Sequence, residues 1–338
     1  PEMMYSRLNA VTVNEIQGNP FQVDVNYRGF TLSPLLGTPQ GLSVYQDGVR
    51  INEPFGDSVN WDVIPRQAIA SIDLIPGSNP LFGLNTLGGA LSIHTKSGLD
   101  GAGSSLETEG GSDGRRTASA DFSGKVGNMG FYIAGTAFRE EGWRDFSPST
   151  VNQLFGKLSH HDGATTDLTG NGLLPESMLQ ARREAIFTQP DRTQNRLDLL
   201  NLGVGYWLDE QSRLSAMLYH RHHRTQTLNG DVNGEFEGGP NDGAMNVNGG
   251  LGFDDETAAN NRTRSTQSGW GAALQWSRQD DNNHVAFGAT YDASHTSFLQ
   301  TSEEGIFDAQ RGVIHGGGEV LDNQLIGTIR NGSLFATD

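Results

Sequence analysis

The chain has 338 residues, with 40 Asp and Glu against 23 Lys and Arg; the formal net charge of -17 excludes a nucleic-acid partner, which needs a basic stripe. It has no cysteine, so disulfides and thiolate metal sites are excluded, and no run of about 18 apolar residues that would form a transmembrane helix. With 45 glycines, 35% hydrophobic residues and a mean hydropathy of -0.47, the composition suits a β-barrel with a wet interior, where half of every strand stays polar.

The chain opens on Pro1-Glu2 without a charged and then apolar leader, which reads as a processed or truncated start; its end at Asp338 reads as incomplete too. Val11 and Val13, then Val23 and Val25, alternate with polar residues and predict two short strands around a Gln-Gly-Asn-Pro turn at 17–20. Residues 27–96 organise the rest. Apolar-alternating strands at 42–45 and 91–95 flank an Asp-Gly turn, a loop, a short helix or turn, a further strand, a Pro-Gly turn and a glycine loop. That order predicts a compact mixed α/β unit of roughly 80 residues.

Within this unit, Tyr27-Arg28-Gly29-Phe30, Asp47-Gly48-Val49, Ile72-Asp73-Leu74-Ile75-Pro76-Gly77-Ser78, Leu81-Phe82-Gly83 and Leu87-Gly88-Gly89-Ala90-Leu91-Ser92-Ile93 follow one another. Together they resemble the plug domain of TonB-dependent outer-membrane receptors, over about residues 5–98. One departure is local: Pro76-Gly77-Ser78 stands where the family usually has Arg-Gly-Pro. The resemblance therefore leaves Arg28 as the candidate for a plug-to-barrel ion pair.

From Leu106 onward the period is 2. Ala118, Ala120 and Phe122 alternate with Thr117, Ser119 and Asp121, and Leu200, Leu202, Val204, Tyr206 and Leu208 with Leu199, Asn201, Gly203, Gly205 and Trp207. Trp270, Ala272, Leu274 and Trp276, then Val285, Phe287, Ala289 and Tyr291, repeat the pattern. One face is apolar and ends in aromatics while the other is small or polar, as in a membrane β-barrel. Short connections at 127–130, 161–163, 209–211 and 280–283 alternate with long ones at 140–150, 173–195, 225–263 and from 297 on. Such barrels place short turns at the periplasm and long loops outside, and about nine strands can be counted. A soluble β-sandwich also alternates, but it does not account for aromatic ends together with short and long loops. The expected fold is a mixed α/β plug over 1–98, then antiparallel transmembrane β-barrel strands over 99–338. The resemblance implies about 22 strands in a full barrel.

Other constellations reduce to structure. The glycine loop at 83–89 lacks the Gly-Lys-Ser/Thr ending of a phosphate cradle, and Asp47-Gly48 reads as a tight turn. No nucleophile elbow, His-Glu-x-x-His helix or matched acid pair is present, so no enzyme activity, catalytic residue or cofactor is expected. His220 and His222 share a strand face, which would allow a two-imidazole metal site, but their expected place at the outer end of a strand whose lipid face carries Leu214, Ala216 and Leu218 favours interface anchoring or contact with lipid headgroups. The acid- and glycine-rich stretch 229–261 reads as a solvated loop more than a Ca²⁺ site.

By position relative to the matched motifs, the resemblance puts ligand-binding plug-apex loops at 17–21, 31–40 and 52–57. The candidates are Gln17, Asn19, Phe21, Leu35, Leu36, Thr38, Gln40, Asn52, Glu53, Phe55 and Asp57. These apices hold no Arg or Lys, so an anionic chelate would need barrel cations such as Arg115, Arg116, Arg139 or Arg144. The resemblance implies TonB-energised uptake of a scarce ligand, most often a ferric siderophore or other iron chelate. Its partners would be TonB with the inner-membrane energising complex, acting on a box expected upstream of Pro1, and outer-membrane lipid. The expected location is a Gram-negative outer membrane. The alternatives are an adhesin or phage-attachment surface, a passive porin, a soluble binding protein, or a transporter of cobalamin or oligosaccharide.

Overall fold

The computed structural model describes residues 8–15, 18–38, 40–77, 86–98, 101–126, 129–157, 160–170, 173–233, 258–280, 283–315 and 318–337. The N-terminal unit holds two small sheets. Strands β1 (Val11–Asn14), β2 (Asp24–Tyr27) and β3 (Phe30–Leu32) form an antiparallel meander. Strands β4 (Leu42–Gln46), β5 (Val49–Arg50), β6 (Ile69–Pro76) and β7 (Gly89–Thr95) form a mixed sheet in the order β5-β4-β7-β6, with β4 parallel to β7. Both hairpins close on two left-handed residues: Arg28 (φ 49°) with Gly29 (φ 87°), and Asp47 (φ 45°) with Gly48 (φ 86°). Such turns match the right-handed twist of their strands. Gly89 is fixed by space: a Cβ there would sit 2.3 Å from the Ile75 carbonyl oxygen. The expected short helix is two 3-10 turns, Trp61–Val63 and Arg66–Ala68. Trp61, Val23, Val25, Leu42, Val44, Leu91 and Ile93 are buried in one apolar core beneath them.

The third sheet is a single antiparallel succession. It runs β8 (Gly103–Gly110), β9 (Arg116–Val126), β10 (Met129–Glu140), β11 (Ser149–Lys157), β12 (His160–Thr169), β13 (Asp191–Trp207), β14 (Ser212–Val232), β15 (Ala258–Gln279), β16 (His284–Phe307), β17 (Val313–His315) and β18 (Val320–Thr337). One helix, α1 (Glu176–Ala181), interrupts it, and β18 pairs with β16 beside the short β17. Three sequence expectations are corrected. Residues 161–163 lie inside β12 and not in a turn, β14 and β15 extend into the expected 225–263 loop, and β16 and β18 occupy most of the long connection expected from 297 on. The β14 and β15 extensions are mostly polar, so no sustained apolar alternation marks them. Cross-strand pairs such as the Thr227 and Thr263 hydroxyls, 2.6 Å apart, accompany the ladder there.

The long strands bury the opposite face from a soluble sheet. Phe122, Leu154, Leu218 and Phe287 are more than half exposed, whereas Gln153, Asn195, Gln267 and Thr296 on the other face are buried. The buried face lies against the N-terminal unit. The exposed apolar face carries a Trp276–Phe287 contact toward the short-turn end and a Trp270–Tyr291 contact toward the long-loop end. Outward apolar and inward polar is the order a bilayer demands of a barrel strand. Among the described residues no helix is long and apolar enough to cross a membrane.

Candidate ligand vestibule and its buried seam

The chain after β5 turns back through residues 51–58 and carries Glu53 against β14. The Glu53 side chain is 1% exposed. Its Oε1 accepts from Arg221 Nη2 at 2.5 Å and Asn60 Nδ2 at 3.2 Å, and Oε2 accepts from Arg221 Nη1 at 3.0 Å. His223, two residues along β14 and so on the same face, brings Nδ1 to 2.7 Å from Oε1, at ion-pair distance but off the hydrogen-bond direction. Burial alone would push the Glu53 carboxyl up. The charges of Arg221 and His223 outweigh it and hold the group well below the usual carboxylate range.

Asp62, in the first 3-10 turn, is the second buried carboxylate. Thr166 Oγ1 and Asn195 Nδ2 donate to its Oδ2 at 2.5 and 2.8 Å, while its buried Oδ1 has no hydrogen-bond partner. Burial pushes this carboxyl up, against the pull of those two donors. Gln153 Nε2 donates to the Asp62 and Ile64 carbonyls at 2.7 and 2.9 Å. Toward the short-turn end the Asp47 carboxylate accepts from the Thr95 N–H at 3.0 Å and from the Thr95 hydroxyl. Lys157 Nζ reaches the same carboxylate at 3.4 Å and the Thr95 carbonyl at 3.0 Å. At the long-loop end Asn19 Nδ2 donates to Ser149 Oγ and the Thr169 carbonyl. Apolar contacts fill the gaps: Phe21 with Phe138, Val151 and Leu168, and Val49 and Val63 with Leu197 and Leu199.

Toward the long loops the unit presents loops 33–38 and 54–57. Leu36 is 44% exposed and packs over Gly56. The Phe55 ring lies 4.8 Å from Phe298, and the Phe55 N–H donates to Gln267 Oε1 at 3.0 Å. Above them the inward positions of β13 to β16 carry hydroxyls and amides, including Thr225, Thr227, Thr263 and Gln300, then Asp191, Asp231 and Glu304 near the rim. Among the described residues, none of these inward positions beyond the Arg221–His223 level is Lys or Arg.

Residues 3–90 match the family described as the TonB-dependent Receptor Plug Domain. The N-terminal unit is a TonB-dependent receptor plug domain. The whole chain superposes on solved receptors. The ferric citrate transporter FecA in its unliganded form gives a TM-score of 0.68 at 14% identity, covering 99% of this chain and 49% of that one. FpvA of P. aeruginosa bound to heterologous pyoverdines gives 0.63 at 12% identity, covering 97% and 45%. The siderophore receptor PiuA from Acinetobacter baumannii gives 0.61 at 14%, covering 97% and 50%. The chain thus spans about half the length of these receptors, and at such identities the likeness shows the fold alone. No curated protein sequence matches the chain.

The plug distributes the expected apex residues unequally. Leu35, Leu36, Thr38 and Phe55 lie in the exposed or half-buried loops, and Gln17 lies outside the described residues. Gln40 is tied to the Ser33 backbone, and Asp57 pairs with Arg50 at 2.6 Å. Asn52 is sealed inside the plug, bonded to the Val44 N–H and the Leu42 and Asp57 carbonyls. Asn19, Phe21 and Glu53 belong to the seam with the strands. Arg28 occupies a left-handed turn position with its guanidinium over Tyr27, and among the described residues it makes no ion pair. Glu53 with Arg221 and His223, and Asp47 with Lys157, make the pairs between plug and strands. His220 and His222 stand on the outward face of β14 in mid-strand, with His222 bonded to Ser268. Among the described residues no cluster of three His, Asp or Glu suits a metal ion.

Proposed function

We propose that residues 1–98 are the plug and residues 99–338 the first part of the barrel of an outer-membrane receptor for TonB-energised uptake of a ferric siderophore or other iron chelate. The observation that carries this reading is the seam. A unit with its own apolar core is held inside outward-apolar strands chiefly by buried polar contacts, as suits a stopper that must move without exposing its core. The printed ligands of similar receptors, ferric citrate for FecA and pyoverdine for FpvA, support iron as the cargo class. The vestibule wall favours a chelate with no net negative charge, because its inward residues offer hydroxyls and amides. Ligand settling on Leu36 and Phe55 would press directly on the loop that carries Glu53, so occupancy and the seam are joined within two residues. TonB, pulling from the inner-membrane side, would then act on a plug whose latch the ligand has already strained. No chemistry is performed on the ligand.

The test is iron-limited growth of a strain lacking the gene, complemented with the full-length receptor and supplied with ferric hydroxamate, ferric citrate, cobalamin or oligosaccharide. Growth restored by a neutral or cationic ferric chelate, and abolished by deleting the TonB-box segment, is the expected result. Growth indifferent to receptor and box rejects the reading. A second reading, an attachment surface for a bacteriocin or phage, is favoured by the likeness to FpvAI in its complex with pyocin S2, with a TM-score of 0.62 at 12% identity. In that case attachment persists without any uptake phenotype.

A further inference from the structure

We infer that a cavity at the long-loop end of β8 to β10, walled by Trp143, binds a saccharide ring. The inference needs the barrel-like arrangement of the strands but neither iron nor energised transport.

The cavity measures about 560 Å³, within the range of about 300–1,000 Å³ that is ordinary for a small-molecule site. Three separate segments build it: the β8–β9 turn at 111–115, the loop after β10, and residues 183 and 184 of the β12–β13 connection. Backbone bonds lock them together. The Glu141 N–H donates to the Asp113 carbonyl at 2.9 Å, and the Asp145 N–H to the Glu184 carbonyl at 3.0 Å. Arg182 pairs with Asp145 across the second of these junctions. The walls are therefore in place before a ligand arrives, which spares the cost of ordering them. Glu140 shares the inward face of β10 with the buried Tyr132, Ala134 and Phe138. The cavity thus lies on the vestibule side of the strands, beyond the contact of Phe138 with Phe21 of the plug.

The chemistry of the walls identifies the ligand. Arg115 forks onto Glu140 with contacts of 3.1 and 3.2 Å, so its charge is not free for an anion. Arg144 and Arg183 lie 4.7 and 5.7 Å from the Trp143 ring centroid and already answer the ring's attraction for a cation. Among the described residues no group of three His, Asp or Glu suits a metal ion. The remaining lining is mixed. The carboxylates of Glu109, Asp113 and Glu184 only accept, the Arg183 guanidinium only donates, and the indole of Trp143 is 43% exposed. A hydroxyl both donates and accepts, and a pyranose carries several of them around an apolar C–H face. Its hydroxyls suit carboxylate and guanidinium together, and its face suits the indole. An anion would meet three carboxylates, and a cation would meet Arg183.

The experiment uses the full-length receptor in a polyoxyethylene detergent, which has no sugar headgroup to compete. Saturation-transfer NMR and calorimetric titration are run with methyl glucoside, methyl mannoside, N-acetylglucosamine and maltose, and with ethanolamine and citrate as a cation and an anion. At least one saccharide should bind with a dissociation constant of about 1–10 mM, with saturation strongest at its ring C–H protons. Trp143→Ala should weaken that binding at least about tenfold, while Trp143→Phe keeps part of it. Arg183→Gln changes an exposed side chain and leaves the backbone bonds in place, so it should weaken binding several-fold without lowering the melting temperature. Absence of binding by all of these saccharides, binding unchanged by Trp143→Ala or by Arg183→Gln, or displacement of the saccharide by ethanolamine or citrate would each overturn the inference.

Discussion

Inside the plug, Val23, Val25, Leu42, Val44, Leu91 and Ile93 pack around Trp61 without a charge among them. At the seam with the strands, Glu53, Asp62 and Gln153 are as deeply buried, yet they meet Arg221, His223, Thr166, Asn195 and the backbone. The two regions fail in different ways. Separating apolar residues exposes surface to water and costs free energy in proportion to area. Separating a hydrogen-bonded ion pair that water can reach returns each group to hydration, because the desolvation penalty is recovered. The plug is therefore cohesive within itself and separable from its barrel.

The largest expected effect breaks the seam alone. Glu53→Ala leaves Arg221 and His223 buried without a carboxylate and should weaken plug seating by about 3–5 kcal/mol, since an orphaned buried charge is the costly case. Limited proteolysis of the detergent-solubilised receptor should show the plug cut while the strands stay intact. Adding Arg221→Met should recover part of the loss; a barrel that unfolds with Glu53→Ala would erase the distinction between the two regions.

Next in size is a test of the strand faces. Leu218→Arg, on the outward face of β14, should cost about 2–4 kcal/mol of barrel stability in bilayers. Nine residues on, on the inward face, Thr227→Arg should change stability little and should instead admit anionic chelates, read as binding of ferric citrate by the full-length receptor. Equal destabilisation by both would contradict the outward-apolar reading.

Acid sharpens the same comparison. Because Glu53 is held below its unfolded value of about 4.3, its contribution is complete above that pH and is lost progressively as pH falls below it. Plug release should rise on acidification through this window, and Glu53→Gln should flatten the profile. Asp62 runs the other way. Its carboxyl is raised, so its contribution is present at low pH and lost as pH climbs through the raised value, and Asp62→Asn should remove the alkaline loss. The smallest effect should come from Lys157→Met. Its side chain is 29% exposed, so the loss should be about 1 kcal/mol, read as a slight rise in plug proteolysis.

How much of this was legible in the sequence depended on whether the signal was local. The Asp47-Gly48 turn could be read because a two-residue hairpin needs left-handed residues at fixed positions, and the lipid face because Leu200 to Tyr206 repeats with period 2. The upper halves of β14 and β15 could not, since above the bilayer both faces of a strand can be polar and the alternation vanishes. The motif around Arg28 fixes a turn and not a partner. The seam left no trace in the sequence: Glu53 and Arg221 are 168 residues apart, and an inward charge on a barrel strand looks the same whether it meets water or a plug.

The central claim, a self-cohesive plug held by a separable polar seam, is tested most directly by urea unfolding of the full-length receptor, with one tryptophan probe retained at Trp61 and another at Trp270. Two transitions are expected: loss of seating at low urea, which Glu53→Ala moves to lower urea still, and a barrel transition unmoved by that change. A single transition at both probes, or an equal shift of both by Glu53→Ala, would contradict it.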